Sequence, residues 1–200
     1  MKKHHIVAGA MAGLCVLALL VDTAVVAATG ERTFVTDDAK GDTWLSVASS
    51  LWLGATFASL AWVAAREGDR FAQGSRVVRV AGRVLLVGLV ALAVGAGAVQ
   101  PTLTAAGVDE GPAYDASGLV AFLAISSVIL SALVLGLAVV RRNPLGLGGR
   151  VLGLLLPAVG LTVLLAAVAP DLASPVFCTM VVLGGVALVG VRAETRATVG

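Results

Sequence analysis

Residues 66–100 read REGDRFAQGSRVVRVAGRVLLVGLVALAVGAGAVQ, and every charge in this stretch lies at or before Arg83. A helix rises about 1.5 Å per residue and a bilayer's hydrocarbon core is about 30 Å thick, so roughly 20 mainly apolar residues are needed to cross it. The uncharged run after Arg83 meets that requirement, with arginines gathered at the end where it begins. This pattern predicts a transmembrane helix over 80–100 that enters the bilayer from an arginine-rich side.

Working outward, five further apolar segments of similar kind are predicted at 6–29, 44–65, 117–140, 151–169 and 175–191. Connections between them are short, and no stretch is large enough for a separate soluble domain. With 58% apolar residues, 13% charged residues and a mean hydropathy of +1.00, the chain falls well outside the range of water-soluble domains. The expectation is an all-α, polytopic membrane helical bundle: a single integral domain over 1–200 with six transmembrane helices.

Charge sets the expected orientation. Lys2, Lys3, Arg66, Arg70, Arg76, Arg79, Arg83, Arg141, Arg142, Arg150, Arg192 and Arg196 fall on one side of the ladder, leaving only Arg32 and Lys40 on the other. Lys and Arg resist translocation, so the rich side is predicted to be cytoplasmic and both termini to lie inside. The acids reinforce this: Glu31, Asp37, Asp38, Asp42, Asp109, Glu110, Asp115 and Asp171 are predicted outside, against Glu67, Asp69 and Glu194 inside. Trp44 and Trp62 mark opposite ends of the second span, where interfacial tryptophans are favoured. Met1-Lys2-Lys3 with Val26-Ala27-Ala28 also fits a cleavable signal peptide. The apolar run exceeds the usual h-region of about 7–15 residues, so retention as a first helix is expected.

Within the predicted spans one ionisable side chain stands out. Asp22 lies inside the hydrocarbon, where a carboxylate costs on the order of 2.5–3.5 kcal/mol on insertion scales. No Lys, Arg or His shares its depth. It is the candidate ion- or proton-binding residue, with Thr23, Ser46, Ser49 and Ser50 as hydroxyl companions; the plainer alternative is a hydrogen-bonded acid joining the first two helices. Pro157 is the candidate helix kink, because an interior proline lacks a donor and crowds the carbonyl four residues earlier. Arg76, Arg79 and Arg83 share one helical side and are candidate contacts for anionic lipid. Gly9 and Gly13 form a GxxxG pair, a weak signal for a homo-oligomer or a membrane-protein partner.

Other chemistries find no support. His4 and His5 sit at the cytoplasmic tip, which excludes a bis-histidine haem within the bilayer. No CxxC or Cys/His cluster points to a metal, so no metal ligands are expected. Neither phosphate-binding glycine motif occurs, no catalytic residues are identified, and no cofactor is expected. The bases cluster by loop, not on a folded basic face, so no nucleic-acid partner is expected.

Its Ala/Val/Leu/Gly/Arg bias and compact loops resemble small six-helix membrane proteins of high-GC bacteria, which implies a multi-pass protein of the bacterial plasma (inner) membrane. The functional expectation is a non-enzymatic accessory or structural membrane component. The alternative is a small proton- or cation-coupled transporter or channel using Asp22.

Overall fold

The computed structural model describes residues 2–29, 43–108, 110–139, 143–168 and 176–191, and most of those residues are helical, with no strand among them. The predicted outer loops around 30–42 and 170–174, together with Arg141, Arg142, Arg192 and Arg196, lie outside the described residues.

The elements are α1 (Lys3–Thr29), α2 (Thr43–Arg66), α3 (Gly68–Ala72), α4 (Arg76–Val94), a π turn (Gly95–Val99), α5 (Gln100–Ala105), α6 (Pro112–Ala138), α7 (Leu147–Leu152), α8 (Leu155–Val168) and α9 (Val176–Ala187). Five stretches are long and apolar enough to cross a membrane: Lys3–Thr29, Trp44–Arg66, Arg76–Ala105, Pro112–Ala138 and Leu147–Val168. The segment expected as a sixth span is described as the shorter apolar helix α9.

Local chemistry explains several boundaries. Ser75 caps α4, its Oγ accepting from Val78 N–H at 3.3 Å, which satisfies one of the donors left free at a helix start. The predicted loop from Pro101 to Ala116 is shorter than expected, because helix continues through Pro101 to Ala105. A π turn absorbs the proline: Gln100 N–H donates to the carbonyl of Gly95, five residues back, and the Thr102 hydroxyl donates to Ala98 O at 2.6 Å. The Leu147–Val168 stretch is interrupted at Gly153 and Leu154, just before Pro157, which has no N–H to offer the carbonyl of Gly153.

Packing closes the helices into a ring. α1 packs on α2, α2 on α4, α4 on α6, α6 on α7, and α9 completes the circuit by packing on α7, α8 and α1. Glycines allow these approaches where backbones nearly touch: Gly54 of α2 lies against Gly97 of the π turn, and Gly148 of α7 against Gly185 and Val189. Gly9 and Gly13, in contrast, face open space.

The core is concentrated toward one end. Buried residues of α1 run from His4 to Cys15, and those of α2 include Leu60, Val63 and Ala64. Leu145, Leu152, Val186 and Val189 join them. Toward the opposite end Leu17, Leu20, Val21, Val163, Leu164 and Val168 are exposed, as are Val87, Phe122 and Leu130 around the circumference. An aliphatic exterior of this extent suits lipid, not water, as its surroundings.

Candidate functional site

At the well-packed end, four separate parts of the chain meet around one acid. Glu67 follows α2 directly, and its N–H still bonds Val63 O at 2.9 Å, so the last turn of α2 aims its side chain inward. The residue is buried, at 4% exposure. Lys2 Nζ donates to Oε1 at 2.8 Å, and Arg70 Nε, one turn along in α3, donates to Oε2 at 2.6 Å. From α1, His4 Nε2 lies 3.3 Å and His5 Nε2 lies 3.5 Å from the same Oε1. The two imidazoles are themselves buried, with ring centroids 4.2 Å apart, and His4 also meets the edge of Trp62.

The remaining walls are backbone. His5 Nδ1 lies 3.3 Å from Ala187 O at the end of α9, and Arg70 Nη1 reaches Pro144 O at 3.4 Å. Asn143 shapes the turn before α7: its Oδ1 accepts from Leu145 N–H at 3.1 Å while its Nδ2 donates to Gly146 O at 2.7 Å. The exit from α9 is tied to that turn by Gly190 N–H to Leu145 O at 2.9 Å and Leu147 N–H to Val191 O at 2.8 Å. Gly190, with φ of +88°, then lies directly over the Glu67 carboxylate.

Burial alone would push the Glu67 carboxyl up; hydrogen bonds from Lys2, Arg70 and His4 overcome this and bring it down to about 2. The acid is therefore ionised at neutral pH, a fixed negative centre holding two cations and two imidazoles. Three ligand-type atoms, one each from His4, His5 and Glu67, lie within 4.8 Å of one another.

The residues singled out from sequence are placed elsewhere. Asp22 lies within α1, and its side chain is outside the described residues. Of its expected companions, the Thr23 hydroxyl donates to Leu19 O and Ser49 to Ser46 O, both within their own helices. Arg76, Arg79 and Arg83 occupy the first half of α4 and are exposed; Arg79 reaches back to Ala72 O at 3.2 Å. Arg76 and Arg83 border two neighbouring apolar grooves between α4 and α6, of about 570 and 440 Å³, both lined by Val84 and Ser127. Pro157 sits near the start of α8 and is not among the residues that bond in the Glu67 cluster. Cys15 and Cys178 are buried free thiols.

Sequence reasoning therefore missed the Glu67 cluster. Glu67 was read only as an inner-side acid, and the histidines only as a tip too shallow for haem. One signal was available: the predicted topology already puts the N-terminus and the connection after the second span on the same face. No family model, no curated protein and no solved structure matches the chain.

Proposed function

We propose that this chain is a non-enzymatic accessory or structural component of a bacterial plasma membrane, crossing the bilayer six times with both termini cytoplasmic. The observation that carries the reading is a satisfied interior: among the described residues no buried side-chain nitrogen or oxygen lacks a hydrogen-bond partner. Transport and catalysis need polar groups held ready for a passing substrate. The buried Thr56, Ser59 and Ser131 instead bond carbonyls of their own helices, and Glu67, His4 and His5 lock elements together.

Convergence at the Glu67 end supports the even number of crossings. Lys2, the Glu67–Arg70 connection, the Asn143–Gly146 turn and the Gly190 exit all meet there, and each belongs to a region whose Lys and Arg content favours the cytoplasm. α9 is then the inner part of a sixth span. Arg76, Arg79 and Arg83 would face the inner leaflet, with anionic lipid headgroups as partners and acyl chains along the α4–α6 groove.

Two measurements test this. Reporters active only outside the cytoplasm, fused in turn to each end, should both stay silent; a signal from either overturns the topology. Protein reconstituted in proteoliposomes should give no proton- or cation-coupled flux. Flux that Asp22→Asn abolishes in folded protein would replace the accessory role with that of a small carrier.

A further inference from the structure

The pairing of His5 with two acceptors carries a consequence for what occupies the space between them. A carbonyl can only accept, so the 3.3 Å contact with Ala187 O requires the proton on His5 Nδ1. In a neutral imidazole Nε2 then bears a lone pair, and that lone pair faces Glu67 Oε1 at 3.5 Å. Two acceptors held together inside a protein repel unless a positive centre offsets them, and here the Lys2 ammonium on Oε1 takes that place.

Two of the three ligand distances match a metal ion at that place, and the third, between the imidazole nitrogens, is within 4.8 Å. Tetrahedral ligands at about 2.0–2.1 Å from zinc stand roughly 3.3–3.4 Å from each other. Glu67 Oε1 is 3.3 Å from His4 Nε2 and 3.5 Å from His5 Nε2, so two edges of such a tetrahedron are already set, and His4 would carry its proton on Nδ1 with the ion bound. The surroundings also have the form that orients metal ligands. Ala187 O fixes the tautomer of His5, Arg70 holds Oε2 and turns Oε1 toward the imidazoles, and Trp62 packs against the His4 ring. Gly190 has no side chain to fill the space over the carboxylate.

We propose that His4, His5 and Glu67 form a binding site for a divalent first-row transition-metal ion of the zinc type. Two imidazoles and one carboxylate suit such an ion better than calcium or magnesium, which prefer all-oxygen shells. A fourth position is left for water. Lys2 competes for the site, since its ammonium is the cation now on Oε1; at 66% exposure its long side chain can swing into solvent when the metal enters. Arg70 stays on Oε2 and tempers the affinity. These three side chains would hold the ion whatever the number of membrane crossings and with or without transport activity.

The test uses full-length protein in detergent, purified through a C-terminal tag free of histidine. After dialysis against zinc, mass spectrometry should find about one zinc per chain, and cobalt in its place should give the visible absorption of a four-coordinate ion. His4→Ala and His5→Ala should each weaken binding by about tenfold or more. Lys2→Met keeps the three ligands and should tighten it. Folded, monodisperse wild type that retains no zinc overturns the proposal, as does zinc held equally by the His4→Ala/His5→Ala double variant. If the histidine variants misfold, Lys2→Met decides: zinc binding that is weaker or unchanged means that the cluster is only an ion-pair lock.

Discussion

The α-carbon of Gly190 lies so near Glu67 that a Cβ on the glycine would fall 2.7 Å from the carboxylate carbon and 2.9 Å from Arg70 Nε. The chain leaving α9 thus closes directly over an ion pair formed at the end of α2. Glycine is required here twice, once for this approach and once for its left-handed φ of +88°.

Gly190→Ala should therefore be costlier than an alanine placed at a glycine that needs only the left-handed backbone. Gly107, at φ +67° with open space where a Cβ would go, supplies that comparison. Its alanine variant carries only the conformational penalty of about 1–2 kcal/mol. Thermal unfolding in detergent should show the larger fall in Tm for Gly190→Ala; equal falls would mean that the carboxylate does not sit under residue 190.

Glu67→Gln should lower stability by about 1.5–3 kcal/mol at neutral pH, the range for hydrogen bonds to charged groups. The pH dependence has a defined sign. With the folded carboxyl at about 2 and the ordinary value at 4.5, its stabilisation is complete above pH 4.5 and fades as pH falls toward 2. The groups facing it are Lys2 before α1, His4 and His5 on α1 and Arg70 on α3, while α9 contributes only backbone. Measured in chelator, the advantage of wild type over Glu67→Gln should shrink across that window. A constant advantage down to pH 2 would contradict the pairing.

Helix contacts at glycine should be unequal. A Cβ at Gly54 would meet Gly97 N at 2.5 Å, whereas one at Gly97 would sit 3.4 Å from Gly54 Cα. Gly54→Ala should cost about 1–3 kcal/mol as overpacking, and Gly97→Ala less. Gly9→Ala, which meets nothing, should raise helix stability slightly. Should Gly9→Ala also dissociate a dimer in light scattering, the first GxxxG is a contact between copies.

Replacing Arg76, Arg79 and Arg83 together with Gln should reduce co-purification of phosphatidylglycerol, with each basic residue near an anionic surface worth about 1 kcal/mol. The effect should be larger at low salt, where exposed charges are less screened. Unchanged lipid content in native mass spectrometry would restrict these arginines to setting orientation.

Much of the architecture was legible from residue type alone. The long apolar runs announce the helices because hydrocarbon forces every backbone donor and acceptor to pair within its own segment, and length then follows from bilayer thickness. The end of the third helix was read too short, since Pro101 looks like a terminator until the π turn at Gly95–Val99 absorbs it. Gly9 and Gly13 illustrate the opposite failure: a recognised spacing does not reveal which helix, if any, lies against it.

Composition and order thus determined the membrane-type helices by themselves, because those depend on local transfer energies along the chain. The site depended on something no local pattern encodes. Lys2, His4 and His5 reach Glu67 across more than 60 residues because α1 packs on α2, and Ala187 joins them from the far end because α9 packs between α1 and α7 and closes the ring. Their chemistry arises from relative placement, and that is decided by which helices can approach closely enough to pack.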